Sequence, residues 1–276
     1  MRPVEPRRTS LSKSIAPLRV GSNLGGGGGF RGIDSTLAAH LRATDQTAAA
    51  ALRRLGTSSA LLNGREEWCL WLVEMSPAEA LRSPFVRERL DLIQQRRRNA
   101  TPPGLFDTIR QPTTRFRAVP LRYPRRLPWL LVYELGPDVI IDASVAAIDE
   151  EGSTTAGVIM SRPYRVWVDV LGKPDAPQSV VTITGVHNTF PLPELNDEQF
   201  EAIGIAADAV LMACRFAMTE SIIEIYERDQ LPDTVQAAHD RLDAIVCDVF
   251  GIPPDATDEQ IAGRLLDLYR DLSAAV

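Results

Sequence analysis

The same spacing recurs three times after Pro193. Asn196 and Gln199, Asp233 and Gln236, and Thr257 and Gln260 each set a short polar side chain three residues before a glutamine. In a capping box the first side chain takes a free amide of the opening helical turn, and the second reaches back to the amide of the first. Each box opens a run whose apolar residues return every three or four positions. The first run aligns Phe200, Ile203, Ala207, Val210, Leu211 and Cys214 on one face. The second aligns Val235, Ala238, Leu242, Ile245, Val246 and Val249, and Gly251 with Pro253 and Pro254 ends it. The third uses Ile261, Leu265, Leu268 and Leu272. A chain with this ending is constrained to close in a small helical bundle.

Before Pro193 the texture differs. Residues 34–55 are alanine-rich and helix-compatible, and WCLWLV (68–73) has strand character. Ser76 and Pro77 read as cap and first residue of a helix that runs to Arg96, Arg97 and Arg98, and TPPG (101–104) stops it. From residue 116, short strand candidates follow between prolines and glycines: FRAVPL, WLLVYEL, DVIIDASVAAI, AGVIM and VVTITGV. The expected class is α+β: a mixed sheet domain with helical insertions, then an all-α bundle. The 276 residues suit one large domain or two modest ones. Residues 1–32, polar and glycine-rich, are expected to be flexible, 33–190 to form the sheet domain and 191–276 the helical one.

Many kinds of chemistry find no support. No apolar run approaches the roughly 18–20 residues of a membrane helix, and no apolar segment follows the basic start MRPVEPRRTSLSKS. Cys69, Cys214 and Cys247 are far apart with no C-x-x-C pair, which points to buried thiols in a reducing cytoplasm. Only His40, His187 and His239 could serve as imidazole bases, and neither G-x-S-x-G nor H-E-x-x-H occurs. Lys13 and Lys173 are the only lysines, so a nuclease motif that ends in lysine fails as well. Gly27, Gly29 and Gly32 formally fit G-x-G-x-x-G, but RVGSNLGG supplies no buried strand ahead of them. No cofactor, metal or catalytic residue is expected.

The charges separate along the chain. Residues 1–130 carry 22 Lys and Arg against 10 Asp and Glu, and residues 131–276 carry 8 against 26. A basic half suggests a polyanion partner, although arginine-rich composition alone also produces such a bias. The richest segment is TTRFRAVPLRYPRR (113–126). Arg115 and Arg117 alternate on one strand face, and Arg122, Arg125 and Arg126 flank Tyr123. Arginine can pair bidentately with guanine and glutamine with adenine, so Arg110, Gln111, Thr113, Thr114, Arg115 and Arg117 are base-or-phosphate candidates. Arg122, Arg125 and Arg126 suit phosphates, as do Arg96, Arg97 and Arg98 at a helix end that favours cations anyway. The bland alternative for this segment is an edge strand guarded by charge.

Four stretches then carry a resemblance. LNGREEWCLWLVEMSPAEALRSPFVRERL (62–90), LFDTIRQPTTRFRAVP (105–120), HNTFPLPELNDEQ (187–199) and LPDTVQAAHDRLDAIVCDVFG (231–251) stand in order. Together they resemble the carboxy-terminal part of type IIL/IIG single-chain restriction–modification enzymes and their adenine-specific methyltransferase relatives, including the phage-exclusion methyltransferases. The resemblance implies a target recognition domain that reads duplex DNA in the major groove, followed by a helical tail. The family's upstream methyltransferase domain, with its cofactor loop and NPPF-type catalytic loop, has no counterpart in these motifs. HNTFP is therefore expected to be a joint between recognition domain and tail. Where relatives carry a basic G-R-L-K-S-D-x-R-like run, this chain has GKPDAPQS (172–179), whose only cation is Lys173.

The resemblance implies a non-catalytic specificity protein that binds double-stranded DNA and docks onto a separate methyltransferase or restriction subunit. S-adenosylmethionine would enter only through that partner. The alternatives are a recognition-domain or DNA mimic that regulates such a system, and a methyltransferase-family fragment. A homodimer is left open, and no membrane partner is expected.

Overall fold

The computed structural model describes residues 4–24, 29–98, 115–125, 127–173, 176–217, 221–227, 230–253 and 255–274, with Arg96, Arg97 and Arg98 entering by backbone only. Short polar side chains set most helix starts. Asp34 accepts from the Leu37 amide at 2.7 Å and opens α1 (Ser35–Thr44). Asp45 does the same for Ala48 at 2.9 Å and opens α2 (Gln46–Ala51). The alanine-rich stretch thus ends early, and Leu52–Gly56 becomes strand β2, after β1 (Leu18–Val20). Thr57 caps α3 (Ser58–Leu62), and β3 (Glu67–Leu70) follows.

Ser76 caps α4 as expected, but that helix covers only Pro77–Ala80. Ser83 then accepts from Val86 at 3.0 Å, and α5 (Pro84–Arg98) starts anew on Pro84. The second Ser-Pro pair repeats the first: proline pre-sets the backbone of a first turn but cannot continue a preceding helix.

Strands β4 (Phe116–Pro120), β5 (Arg122–Pro124), β6 (Tyr133–Leu135), β7 (Val139–Ile141) and β8 (Val145–Ile148) come next. AGVIM is not a strand; it lies in α6 (Thr154–Met160), whose seven residues are all buried. A short apolar run fits a buried helix as well as a buried strand, and periodicity cannot separate them. After α7 (Arg162–Leu171), β9 covers Gln178–Val180. VVTITGV, also expected as a strand, instead passes through a turn to a short 3-10 helix at His187–Thr189. Three sheets result, in orders β1-β8-β4-β6, β3-β2-β7 and β5-β9. The class is α+β, with mixed sheets and a helical C-terminal segment.

That segment holds α8 (Asp197–Ala217), α9 (Ile222–Tyr226), α10 (Asp233–Val249) and α11 (Asp258–Ala274). Two capping boxes close reciprocally. Asn196 and Gln199 exchange bonds of 3.1 and 2.8 Å, and Thr257 and Gln260 of 2.8 and 3.3 Å. The third does not form: Pro232 is the cap of α10, Asp233 is already helical, and Gln236 bonds forward to Asp240. Gly251, at φ +63°, ends α10 in the left-handed conformation that favours glycine. Tyr269 takes the buried place expected of Leu268, while Phe200 is left exposed. No capping box or long apolar face marks α9 in the sequence.

The chain divides into two compact units. One comprises Met1–Arg19, Arg117–Glu134 and Ala147–Val276; the other comprises Val20–Phe116 and Leu135–Ala146. In the first, Tyr164, Trp167, Phe190, Phe250, Ile203 and Leu242 form part of the buried core. A Cβ at Gly157 would stand 2.7 Å from Ile203, so α6 and α8 pack closely enough to require glycine there. In the second, Phe30, Ile33, Leu41, Leu52, Leu70, Val86 and Ile93 cluster around β2 and β3. The amino-terminal stretch contributes structure too. Arg7 and Leu11 donate amides to the carbonyls of Thr184 and Asn188, both at 2.8 Å, and Leu11, Ile15 and Leu18 are buried.

Candidate nucleic-acid interface

Residues 187–190 are the centre of a bonded core. His187 Nε2 lies 2.8 Å from the Ala16 carbonyl and Nδ1 lies 3.1 Å from the Tyr164 hydroxyl. A carbonyl can only accept, so Nε2 carries the proton and Nδ1 accepts from tyrosine. Burial holds this imidazole neutral, with its pKa lowered to about 4 against the opposing bond to Ala16. Asn188 donates to the Arg7 carbonyl at 2.9 Å. The Thr189 hydroxyl donates to the carbonyl of Gly185 at 2.8 Å and accepts from the Trp167 indole at 3.2 Å. Phe190 packs its ring 4.9 Å from Tyr164 and 5.7 Å from Phe250. Every side chain here is buried and engaged, so none can reach a base. The segment is a joint.

The arginines divide into several groups. Arg110, Gln111, Thr113, Thr114 and Arg126 lie outside the described residues, as do the side chains of Arg96, Arg97 and Arg98. Arg115 is exposed just ahead of β4, in the unit of Val20–Phe116. Arg117, in the other unit, turns inward: it donates to Asp208 at 3.0 Å and to the Gly152 carbonyl at 2.8 Å. Its charge is answered within the chain, so the expected alternation of Arg115 and Arg117 on one reading face does not describe it.

Arg122, Arg125 and Lys173 are brought together. Strand β5 pairs antiparallel with β9, with Arg122 opposite Val180, Tyr123 opposite Ser179 and Pro124 opposite Gln178. Tyr123 and Ser179 point inward, and the Tyr123 hydroxyl donates to the Leu131 carbonyl at 2.6 Å. The alternation of a strand therefore sends Arg122, Gln178 and Val180 outward. Arg125 follows the strand and donates to the Lys173 carbonyl at 2.7 Å, which ties the GKPDAPQS loop to the arginine strand. The link from α7 to the ribbon is Asp169, which accepts from the Ser179 hydroxyl at 3.3 Å and is held by Arg165 at 2.8 Å, while Arg165 also donates to the Leu127 carbonyl at 2.6 Å. The outcome is a two-stranded ribbon whose outward face carries Arg122, Gln178 and Val180, with Arg125 and the Lys173 backbone joined beside it. Gln178 is not legible as a site residue in the sequence, because only its pairing with Pro124 places it beside the arginines.

Other polar clusters are internal. His239 stacks on Trp129 at 4.1 Å and contacts the Tyr226 hydroxyl at 2.7 Å, which in turn meets Cys214 at 3.1 Å. Burial lowers the His239 pKa to about 3. Asp243 accepts from the Trp129 indole and the Arg162 amide, yet burial outweighs those bonds and lifts it to about 6. Burial also raises Cys69 to about 12 and Cys247 to about 11, which makes both poor nucleophiles. Among the described residues no three His, Cys, Asp or Glu side chains are placed to hold a metal, and no helix is long and apolar enough to cross a membrane.

Comparison with known proteins gives this geometry its context. Residues 2–194 match the family model "MmeI, target recognition domain", and residues 195–276 match "MmeI, C-terminal domain". The chain belongs to the MmeI family. The boundary at 194 falls between the prolines of the joint and the Asn196 capping box. DNA methyltransferase A of Bacillus subtilis (strain 168) is 24% identical over 221 residues, which cover 77% of this chain and 25% of that protein. A solved structure of the type IIL restriction–modification enzyme MmeI in complex with DNA superposes with a TM-score of 0.88 at 23% identity, covering 98% of this chain and 37% of that one. The chain thus spans about a quarter to about a third of the length of these relatives. The domains it matches are those of recognition and carboxy-terminal tail.

Proposed function

We propose that this chain is a DNA-specificity module that reads duplex sequence for a methyltransferase or restriction subunit and carries out no chemistry itself. The match of residues 2–194 to the MmeI target recognition domain is the observation that carries this reading. The exposed β5–β9 ribbon supports it, since a two-stranded ribbon fits the major groove of B-form DNA. Arg122, Arg125 and Lys173 hold phosphates in this scheme, and Gln178 stands where a side chain can approach a base edge. Arg110, Gln111, Thr113, Thr114 and Arg115 supply further base or phosphate contacts, and Arg96, Arg97, Arg98 and Arg126 further phosphate contacts. S-adenosylmethionine and the reacting groups belong to the catalytic partner, onto which this module docks.

The test is duplex binding measured across a salt series. Neutralising phosphates releases counterions, so log affinity should fall linearly with log salt, by about 0.9 for each phosphate contact. A salt-independent affinity, or none at low salt, contradicts the reading.

A further inference from the structure

Helix α8 has two apolar faces. One, with Ile203, Ala206, Ala207, Val210 and Cys214, is buried in its unit. The other runs through Ala202, Ile205, Ala209, Met212 and Phe216, spaced by three, four, three and four residues. That is the a/d seam of a two-helix coiled coil. Ile205 is 56% exposed, Met212 50% and Phe216 83%. Single exposed apolar side chains are ordinary, but a continuous row over about four turns marks an interface.

The charges beside the seam identify what covers it. Glu201, Asp208 and Arg215 recur every seven residues along one flank, the g register. In an antiparallel pair, g positions of the two helices face each other. Two copies of α8 then set Glu201 against Arg215 at both ends and Asp208 against Asp208 in the middle. The central carboxylates are already answered: Arg117 holds Asp208 at 3.0 Å and the Ser153 hydroxyl bonds it as well. Arg215 reaches Glu134 at only 3.4 Å and stays 58% exposed, so it is available to a partner. The same register puts Ala209 opposite Ile205 and Ala202 opposite Met212, a small side chain against a large one in these four layers, and leaves Phe216 at the end of the seam, level with Glu198. A parallel pair would instead face Glu201 with Ala206 and Asp208 with Ala213, and leave both carboxylates unanswered.

We propose that α8 is a self-association surface, on which a second copy of this chain docks antiparallel along the row from Ala202 to Phe216. A dimer made this way carries two recognition modules.

Sedimentation equilibrium of the chain over a concentration series tests this. A reversible dimer is expected, and Met212→Glu, which alters both copies, should raise its dissociation constant about a hundred-fold. Glu201→Arg and Arg215→Glu should each weaken it about ten-fold, and the double reversal should restore it. These positions are at the surface, and circular dichroism checks that each variant stays folded. A monomer at every concentration overturns the proposal. So does a dimer sensitive to Met212→Glu but unmoved by both charge reversals, because it would not be the antiparallel self-pair.

Discussion

The joint at His187–Phe190 and the ribbon of β5 and β9 both attract notice as DNA machinery, and they are built on opposite terms. At the joint each polar atom with a described partner meets it inside the fold, the ring of Phe190 is wholly buried, and the imidazole is held neutral. On the ribbon, Arg122 and Lys173 are exposed, and the Arg125 guanidinium bonds the Lys173 backbone carbonyl. A bond to a carbonyl fixes position without cancelling charge, so the guanidinium keeps its field for an anion. The difference teaches that recognisable motif and reading surface are separate things. HNTFP is held by packing and hydrogen bonds on every side, while the ribbon's outward face is exposed and free of such constraint.

The comparison can be broken in order of effect. Phe190→Ala empties a site between Tyr164, Trp167 and Phe250 and should cost about 3–5 kcal/mol in denaturant unfolding. A loss below about 1 kcal/mol would mean the joint is not core. Replacing Arg122, Arg125 and Lys173 together by alanine should weaken duplex binding on the order of a hundred-fold at low salt. The unfolding free energy of the same variant should stay within about 0.5 kcal/mol of wild type.

Acid should act on the buried side of the comparison. His187 and His239 have folded pKa values of about 4 and about 3, while unfolded histidine takes its proton near 6.5. Unfolding therefore takes up two protons as pH falls below that value, and stability is lost. Asp243, raised to about 6, works the other way, because its folded form already holds a proton that the unfolded one lacks. The net uptake between pH 6 and pH 4 is about one proton, which gives a loss of about 1.4 kcal/mol per pH unit. Stability that is flat or rising over this window, followed by chemical denaturation, would contradict the burial of the two imidazoles.

The smallest effects separate two helix starts that look alike in sequence. Thr257→Ala removes a closed capping box and should cost about 1 kcal/mol. Asp233→Ala removes a residue whose box never closes, and its unfolding curve should overlay that of wild type. Equal losses would show that α10 is capped after all.

Where the fold is legible in the sequence, the signals are local. The bonds of Asn196 with Gln199 and of Thr257 with Gln260 join residues three apart, and the apolar faces of α8, α10 and α11 lie within single helices. Asp233 misleads because a proline ahead of it takes the cap position. AGVIM and VVTITGV mislead because short apolar runs take their conformation from what they pack against. The candidate site is legible in its residue types and not in its assembly. Arg122 meets Val180, Arg125 meets Lys173 and Arg117 meets Asp208 across long stretches of chain, so pairing alone could reveal Gln178 beside the cations and withdraw Arg117 from them.

The most direct test compares salt slopes of duplex binding for the wild type and for the Arg122→Ala, Arg125→Ala, Lys173→Ala triple variant. If the ribbon holds DNA, the slope of log affinity against log salt should shrink by about 0.9 for each phosphate no longer neutralised, roughly 3 for the three cations together. An unchanged slope would place the DNA elsewhere on the molecule and leave the ribbon as a guarded sheet edge.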